Sequence, residues 1–216
     1  MDTIFNKYNT DKNSRFHNYT RQYSPLFEKY RTRKNLKFLE IGVFRGESLK
    51  AWKEYFTGPD TIIVGVDVVE SQIEGVEFGD ATDPETIKKL HDKYGSFDVI
   101  LDDGGHRNSQ VIKTFELLFP LLADGGLYVV EDTVTWDDPA FTDKEYPNHL
   151  NYFCQFVKFL NQRRNEDYCV DPFKNFNKKT ENIVEYSLDK MEFGVSYIAL
   201  HKLVRNHWKN SNIVLF

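Results

Sequence analysis

What most constrains the fold of this chain is an alternation. Five short apolar runs, at residues 36–42, 61–67, 75–78, 99–102 and 126–131, each lead into a glycine or a carboxylate, and helical spacing fills three of the four gaps between them. Runs that are apolar throughout, rather than at every second position, suit strands buried on both faces, as in a parallel sheet covered by helices. The pattern therefore predicts an α/β fold, a doubly wound, mostly parallel sheet. Asp83 followed by Pro84 reads as the cap and first position of the helix at 84–94.

The flanks are less regular. Residues 1–17 read as an irregular arm, after which Tyr23, Leu26, Phe27 and Tyr30 recur at helical spacing over 20–33. Residues 1–34 are thus expected to form an N-terminal helical arm and 35–216 the main domain. Within the latter, 133–180 is expected to be a loop-and-helix insertion near the strand ends, carrying Trp136, Pro139, Pro147 and His149, with a helix at 151–164. Residues 182–187 and 195–200 predict a C-terminal antiparallel hairpin.

Composition narrows the partners. With 216 residues, 40% of them hydrophobic and 15% aromatic, the chain can bury one substantial core. A net charge of −5 leaves no electrostatic footprint for nucleic acid, so a small molecule is the expected ligand. No apolar run approaches the ~20 residues that span a bilayer, and the N-terminus lacks the features of a secretion signal. A cytoplasmic location, away from membranes, is the expectation. Cys154 and Cys169 fit no zinc spacing and are expected to be two buried, reduced thiols.

The chemistry concentrates at the strand ends. The run Glu40-Ile41-Gly42-Val43-Phe44-Arg45-Gly46 places a glycine turn between a strand and a helix, a cradle for a ligand, though not the G-x-G-x-x-G of dinucleotide folds. Asp67 closes the next strand, where a carboxylate can accept from a ribose diol, and Asp80 closes the third, where it can meet a base edge. If the strands at 99–102 and 126–131 are neighbours, Asp103, Glu131 and Asp132 converge on one edge. Three carboxylates there must take up protons or a cation, and an all-oxygen set suits Mg²⁺; helix caps or solvated acids are the competing explanation. His106 lies three residues beyond Asp103. An imidazole, with its ordinary pKa of about 6.5, can take a proton from an alcohol near neutral pH.

These motifs resemble those of the class I S-adenosylmethionine-dependent methyltransferases: Glu40, Gly42 and Gly46 match the first motif, and Asp67 the acid after the second strand. The chain is most similar to the metal-dependent sugar O-methyltransferases, the mycinamicin and macrolide deoxysugar branch with its cephalosporin-hydroxylase-like relatives. The likeness runs through Thr10-Asp11-Lys12 with His17 and Tyr19, Gly46 to Lys53, Gly79-Asp80, Asp102 to His106, and Gly125 to Asp132, in matching order over roughly residues 10–135. It departs at Gly105, where serine is common in the family, and along the tail. The resemblance implies a Rossmann-like fold with S-adenosylmethionine and Mg²⁺ as cofactors. Glu40 would be among the cofactor-binding residues, with Gly42, Gly46 and Ser48 at the methionine end, Asp67 at the ribose, Asp80 at the adenine amine, and Asp102 near the cofactor. It assigns metal ligation to Asp103, Glu131 and Asp132 and the general base to His106. His17, Tyr19, Trp136 and His149 are expected to touch the substrate, a sugar hydroxyl on a nucleotide-linked sugar, a glycosylated natural product or a polysaccharide precursor. A homo-oligomer is expected by the same analogy.

Two other functions fit the strand-end acids: a metal-dependent nucleotide-sugar glycosyltransferase, and a catalytically silent binding module. Calorimetry separates the first from a methyltransferase, which should bind S-adenosylhomocysteine rather than a nucleoside diphosphate alone. Loss of any acid of the set would point to the second, yet Glu40, Asp67, Asp103, Glu131 and Asp132 are all present.

Overall fold

The computed structural model describes residues 1–162, 184 and 187–204. Its strands are β1 (Lys37–Ile41), β2 (Ile62–Asp67), β3 (Val76–Phe78), β4 (Val99–Asp102), β5 (Leu127–Glu131), β6 (Leu188–Gly194) and β7 (Tyr197–Lys202). They form one seven-stranded sheet in the order β3-β2-β1-β4-β5-β7-β6. The first five pair in parallel, and β7 and β6 close the sheet as an antiparallel hairpin. This is the doubly wound, Rossmann-like architecture expected. The strand order reverses between β1 and β4, and ligands of such sheets bind outside the carboxyl ends of the strands at that reversal.

Helices cover both faces: α1 (Asp2–Phe5), α2 (Tyr19–Phe27), α3 (Glu47–Tyr55), α4 (Pro84–Tyr94), α5 (Asn108–Leu118), α6 (His149–Cys154) and α7 (Val157–Gln162). Because side chains alternate along a strand, each strand feeds both layers. Leu39, Ile41, Ile100, Tyr128 and Val130 pack with Ile87 and Leu90 of α4 and Phe115 of α5. Phe38, Val99, Leu101, Leu127 and Val129 pack on the other face, with Phe5, Tyr23, Phe27, Trp52 and Phe56. Trp52, fully buried, meets six rings in this layer, among them Phe5 at 4.7 Å and Phe38 at 5.0 Å between centroids. Asp83 caps α4 as expected, accepting from the backbone N–H groups of Glu85 and Thr86. None of the described helices is long and apolar enough to cross a membrane.

The departures from expectation lie outside the sheet centre. The arm is organised: α1 opens it, and the Asp2 carboxylate gathers donors from Asn6, Ser14 and Thr20. The helix expected at 151–164 is broken at Gln155-Phe156 into α6 and α7. The hairpin's first strand is β6 rather than 182–187, most of which lies outside the described residues. As an edge strand, β6 carries Asp189, Lys190 and Glu192, and such charges hide a period of two. Cys154 is exposed, not buried, because the apolar contacts of α6 are made by Phe153 instead; Cys169 lies outside the described residues.

Trp52 anchors the aromatic layer, so Trp52→Ala should destabilise the protein by about 3–5 kcal/mol. Urea denaturation followed by far-UV circular dichroism checks this; a loss under about 1 kcal/mol would show that the layer tolerates the void.

Candidate active site

At the carboxyl ends of β1, β2, β3 and β4 lies a cleft of about 750 Å³, closed on one side by residues 9–12 of the arm. Its narrowest constraint is Gly42, whose φ of +80° suits glycine and whose backbone passes so close to β4 that a Cβ would sit 2.1 Å from the Asp103 carbonyl oxygen. Only glycine permits that approach, which sets the turn after β1 against the turn after β4. Gly46 is also left-handed, at φ +74°, and starts α3.

At one end of the cleft Asp67 accepts hydrogen bonds from the backbone N–H groups of Val43 (2.8 Å), Phe44 (3.0 Å) and Val69 (2.8 Å). Burial works to raise its pKa, but these donors outweigh it and hold the carboxyl below the usual range. Asp67 therefore braces the glycine turn as well as lining the cleft. Asp80, exposed on the same lining, accepts from the Thr82 amide and hydroxyl through one oxygen, Oδ1. Ser48 lines the wall and donates to Glu40 at 2.9 Å. Glu40 itself is fully buried behind that wall, with Trp52 as a second donor, and burial pushes its carboxyl up to about 7.

The other end is acidic. β4 and β5 are neighbours in parallel register, with Asp102 opposite Val130. Alternation sends Asp102 and Asp103 to opposite faces. Asp102 lies beneath the cleft, 4% exposed, accepting from Tyr128 at 3.0 Å; burial pushes it up to about 7. Asp103 instead shares the aromatic face with Glu40 and Glu131, and there the three carboxylates meet a fourth charge. Lys12, 1% exposed, places Nζ 2.7 Å from Glu131 Oε2, hydrogen-bonded to Asp103 Oδ2 and 3.9 Å from Glu40. Burial works against the ammonium, but the charges of Asp103, Glu131 and Glu40 outweigh it and hold Lys12 above the ordinary lysine range. Tyr23 donates to the other oxygen of Glu131, so both are engaged.

Asp103, His106 and Asp132 form the outer tier of this end, their nearest ligand atoms within 4.8 Å of one another. His106 Nε2 lies 3.8 Å from Asp103 Oδ1 and 3.6 Å from Asp132 Oδ2. Neither Gly104 nor Gly105 takes the left-handed conformation; His106 itself does, at φ +58°, which turns its ring back toward the acids. Asp132 is likewise left-handed, at φ +52°, and Tyr19 donates to its Oδ1 at 2.6 Å while accepting from its amide. The donor set fits a hard divalent cation: two partly exposed carboxylates, with room in the cleft for water and a ligand oxygen. Imidazole suits such an ion less well, which leaves His106 available for a proton.

The structure brings Gly42, Ser48, Asp67, Asp80, Asp102, Asp103, His106 and Asp132 around one cleft, with Gly46 in the turn between lining residues Arg45 and Glu47 and with Glu40 and Glu131 behind it. Of the four residues expected at the substrate, Tyr19 braces Asp132, and His17 stands half-exposed against Tyr19, 3.9 Å from Asp11. Trp136 uses its carbonyl to accept from Asn108 and Asn148. His149 is buried, 3.3 Å from the Thr133 carbonyl, and burial lowers its pKa. None of the four lines the cleft. Sequence reasoning gave Lys12 no role. Its sole signal was membership of the Thr10-Asp11-Lys12 run, since a lysine in a polar segment carries no periodicity to mark burial.

Residues 60–198 match the family model described as Rhamnosyl O-methyltransferase/CmcI. Among curated proteins the chain is similar to an L-olivosyl-oleandolide 3-O-methyltransferase of Streptomyces antibioticus, 34% identical over 153 residues, 65% of this chain and 39% of that protein. It is also similar to a mycinamicin VI 2''-O-methyltransferase of Micromonospora griseorubida, 34% identical over 163 residues, 70% of this chain and 40% of that protein. A solved structure of the MycE methyltransferase, in complex with Mg, S-adenosylhomocysteine (SAH) and mycinamycin VI, aligns over 95% of this chain and 55% of its own, with a TM-score of 0.77 and 25% identity. The chain thus spans about two fifths of the length of these curated relatives.

Because the Asp67 carboxyl is held low, its contribution to stability is present above the ordinary aspartate pKa and is lost as pH falls through the folded value. Asp67→Asn should cost about 1–2 kcal/mol at neutral pH and flatten the decline in stability between about pH 5 and 3. Parallel acid titrations of thermal stability check it, and equal slopes would remove the brace.

Proposed function

The chain belongs to the rhamnosyl O-methyltransferase/CmcI family, and on that premise we propose that it methylates a hydroxyl of a sugar on a glycosylated natural product, with S-adenosylmethionine as donor, Mg²⁺ as metal and His106 as base. One observation carries this reading: the imidazole stands beside two carboxylates at one end of a cleft whose other end presents Asp67 and Asp80. Support for the cofactors comes from the MycE complex, which holds Mg and S-adenosylhomocysteine. On this reading residues 1–34 act as an arm closing the cleft of a domain formed by 35–216, and copies of the chain assemble as a homo-oligomer.

The residues divide the work. Asp67 and Asp80 hold the ribose and the base, and the 42–48 turn receives the methionine portion. The donor would supply an electrophilic methyl group, and Asp103 and Asp132 would hold a hard divalent cation, whose Lewis acidity would lower the pKa of the acceptor hydroxyl. His106 Nε2 takes the hydroxyl proton as that oxygen attacks the methyl carbon, and the sulfur leaves with the electrons of the broken bond. Asp103 and Asp132 then face the imidazolium and stabilise it. Tyr19 and the left-handed backbone at Asp132 keep that carboxylate aimed at the site. Asp102 stays beneath, held by Tyr128.

The direct test incubates the protein with S-adenosylmethionine, Mg²⁺ and a panel of glycosylated natural products and nucleotide sugars, read by mass for a gain of one methyl. No gain on any member, with no binding of S-adenosylhomocysteine, would sink the reading. His106→Ala should abolish turnover while leaving S-adenosylhomocysteine affinity within about three-fold, since its ring faces the acceptor end. Chelation by EDTA should stop turnover and added Mg²⁺ should restore it; activity persisting in chelator would remove the metal from the scheme.

A further inference from the structure

One charged group in the site has no part in the scheme above. Lys12 comes from the arm, yet its ammonium is 1% exposed and lies within the acid cluster of the sheet. An ammonium so placed needs full compensation, because burying an isolated charge costs several kcal/mol. It obtains this from Glu131 and from one oxygen of Asp103, Oδ2, while the other, Oδ1, faces His106 and the open cleft. Asp103 is therefore a shared ligand, with a fixed monovalent cation on one oxygen and the proposed divalent site on the other.

The arm is fastened to hold that charge in place. The Lys12 carbonyl accepts from the Thr20 amide at 3.0 Å, and the Asn13 side chain donates to the Thr10 carbonyl at 2.9 Å. On α3, Glu47 accepts from the Asn9 amide, and Glu54 accepts from Lys7 and the Tyr8 hydroxyl. Lys12 is thus presented by a braced loop.

We infer that Lys12 is a resident cation that competes with the divalent metal for the carboxylate of Asp103, so that the arm sets the metal affinity and senses metal occupancy. The inference rests on the metal reading under the proposed function. Lys12 is a positioning residue: its hydrogen bonds fix Asp103 relative to Glu131 in the absence of metal, and its field weakens the binding of a second cation beside it. Removing the ammonium frees Asp103 Oδ2 and takes away the positive charge that would repel the metal.

The test is a binding measurement on the whole chain with Mn²⁺ alone as probe, following free Mn²⁺ by electron paramagnetic resonance. Lys12→Met, close in length and uncharged, should bind Mn²⁺ at least about ten-fold more tightly than the wild type, because a unit charge a few ångströms from a divalent ion outweighs the loss of packing. A lysine acting merely as structural filler predicts unchanged or weaker binding, so affinity within about two-fold of wild type, or lower, in a folded variant overturns the inference. If in that case Asp132→Asn still abolishes Mn²⁺ binding, the metal reading survives the loss. Should neither wild type nor variant bind millimolar Mn²⁺, the metal reading fails and this inference fails with it. Should Lys12→Met not fold, the wild type decides: the slowly exchanging side-chain ammonium resonance of Lys12 should shift on saturation with Mg²⁺, and a resonance that stays put overturns competition.

Discussion

Parallel pairing of β4 with β5 is the contact on which the rest of the site depends. It sets two strand ends side by side, and the alternation of side chains then distributes their acids by parity. Asp103 and Glu131 fall on the aromatic face with Glu40 from β1, while Asp102 falls on the other with Tyr128. A slip of one residue between the strands would exchange these sets and dissolve the cluster. The close passage of Gly42 over the Asp103 carbonyl ties β1 into the same arrangement.

So placed, the acids bring an electrostatic cost that the fold must answer. Burial pushes Glu40 to about 7, and burial with the nearby charge of Asp103 pushes Glu131 up, while Lys12 and Tyr23 pull it back. The answer arrives in two tiers. The inner one is built into the polypeptide, as Lys12, Tyr23, Ser48 and Trp52. The outer one, Asp103 Oδ1 with Asp132 and His106, faces the cleft. Aromatic packing under α2 and α3 carries the inner tier, since Tyr23 and Trp52 are at once core residues and hydrogen-bond donors to its carboxylates.

Much of this was legible in the sequence, and for definite reasons. Strands β1, β2, β4 and β5 announce themselves because both their faces are buried, and their ends because the last residues are glycine or acid. The adjacency of β4 and β5 could be posed as a condition, and it is met. What could not be read was anything depending on a single residue far from its partners. Lys12 stands 119 residues from Glu131 and sits in a polar run. The left-handed turn falls on His106, although the two glycines before it would have been the natural choice. Tyr19, expected at the substrate, is spent on Asp132, and His149 is enclosed behind Thr133. The charged edge strand β6 has no period to betray it.

The span of the Lys12 contacts also bears on how the arm is tied to the sheet centre. Its partners at Glu40, Asp103 and Glu131 lie on three different strands, and the ammonium has no compensating neighbour until all three are aligned. Burial there without them would strand a charge in an apolar layer, a state several kcal/mol uphill. The ammonium is therefore compensated at that spot only where the ends of β1, β4 and β5 stand side by side. The residues that close the cleft are thus tied to the register of three strands, so the wall of the cleft and the alignment of the sheet centre are held by the same charge.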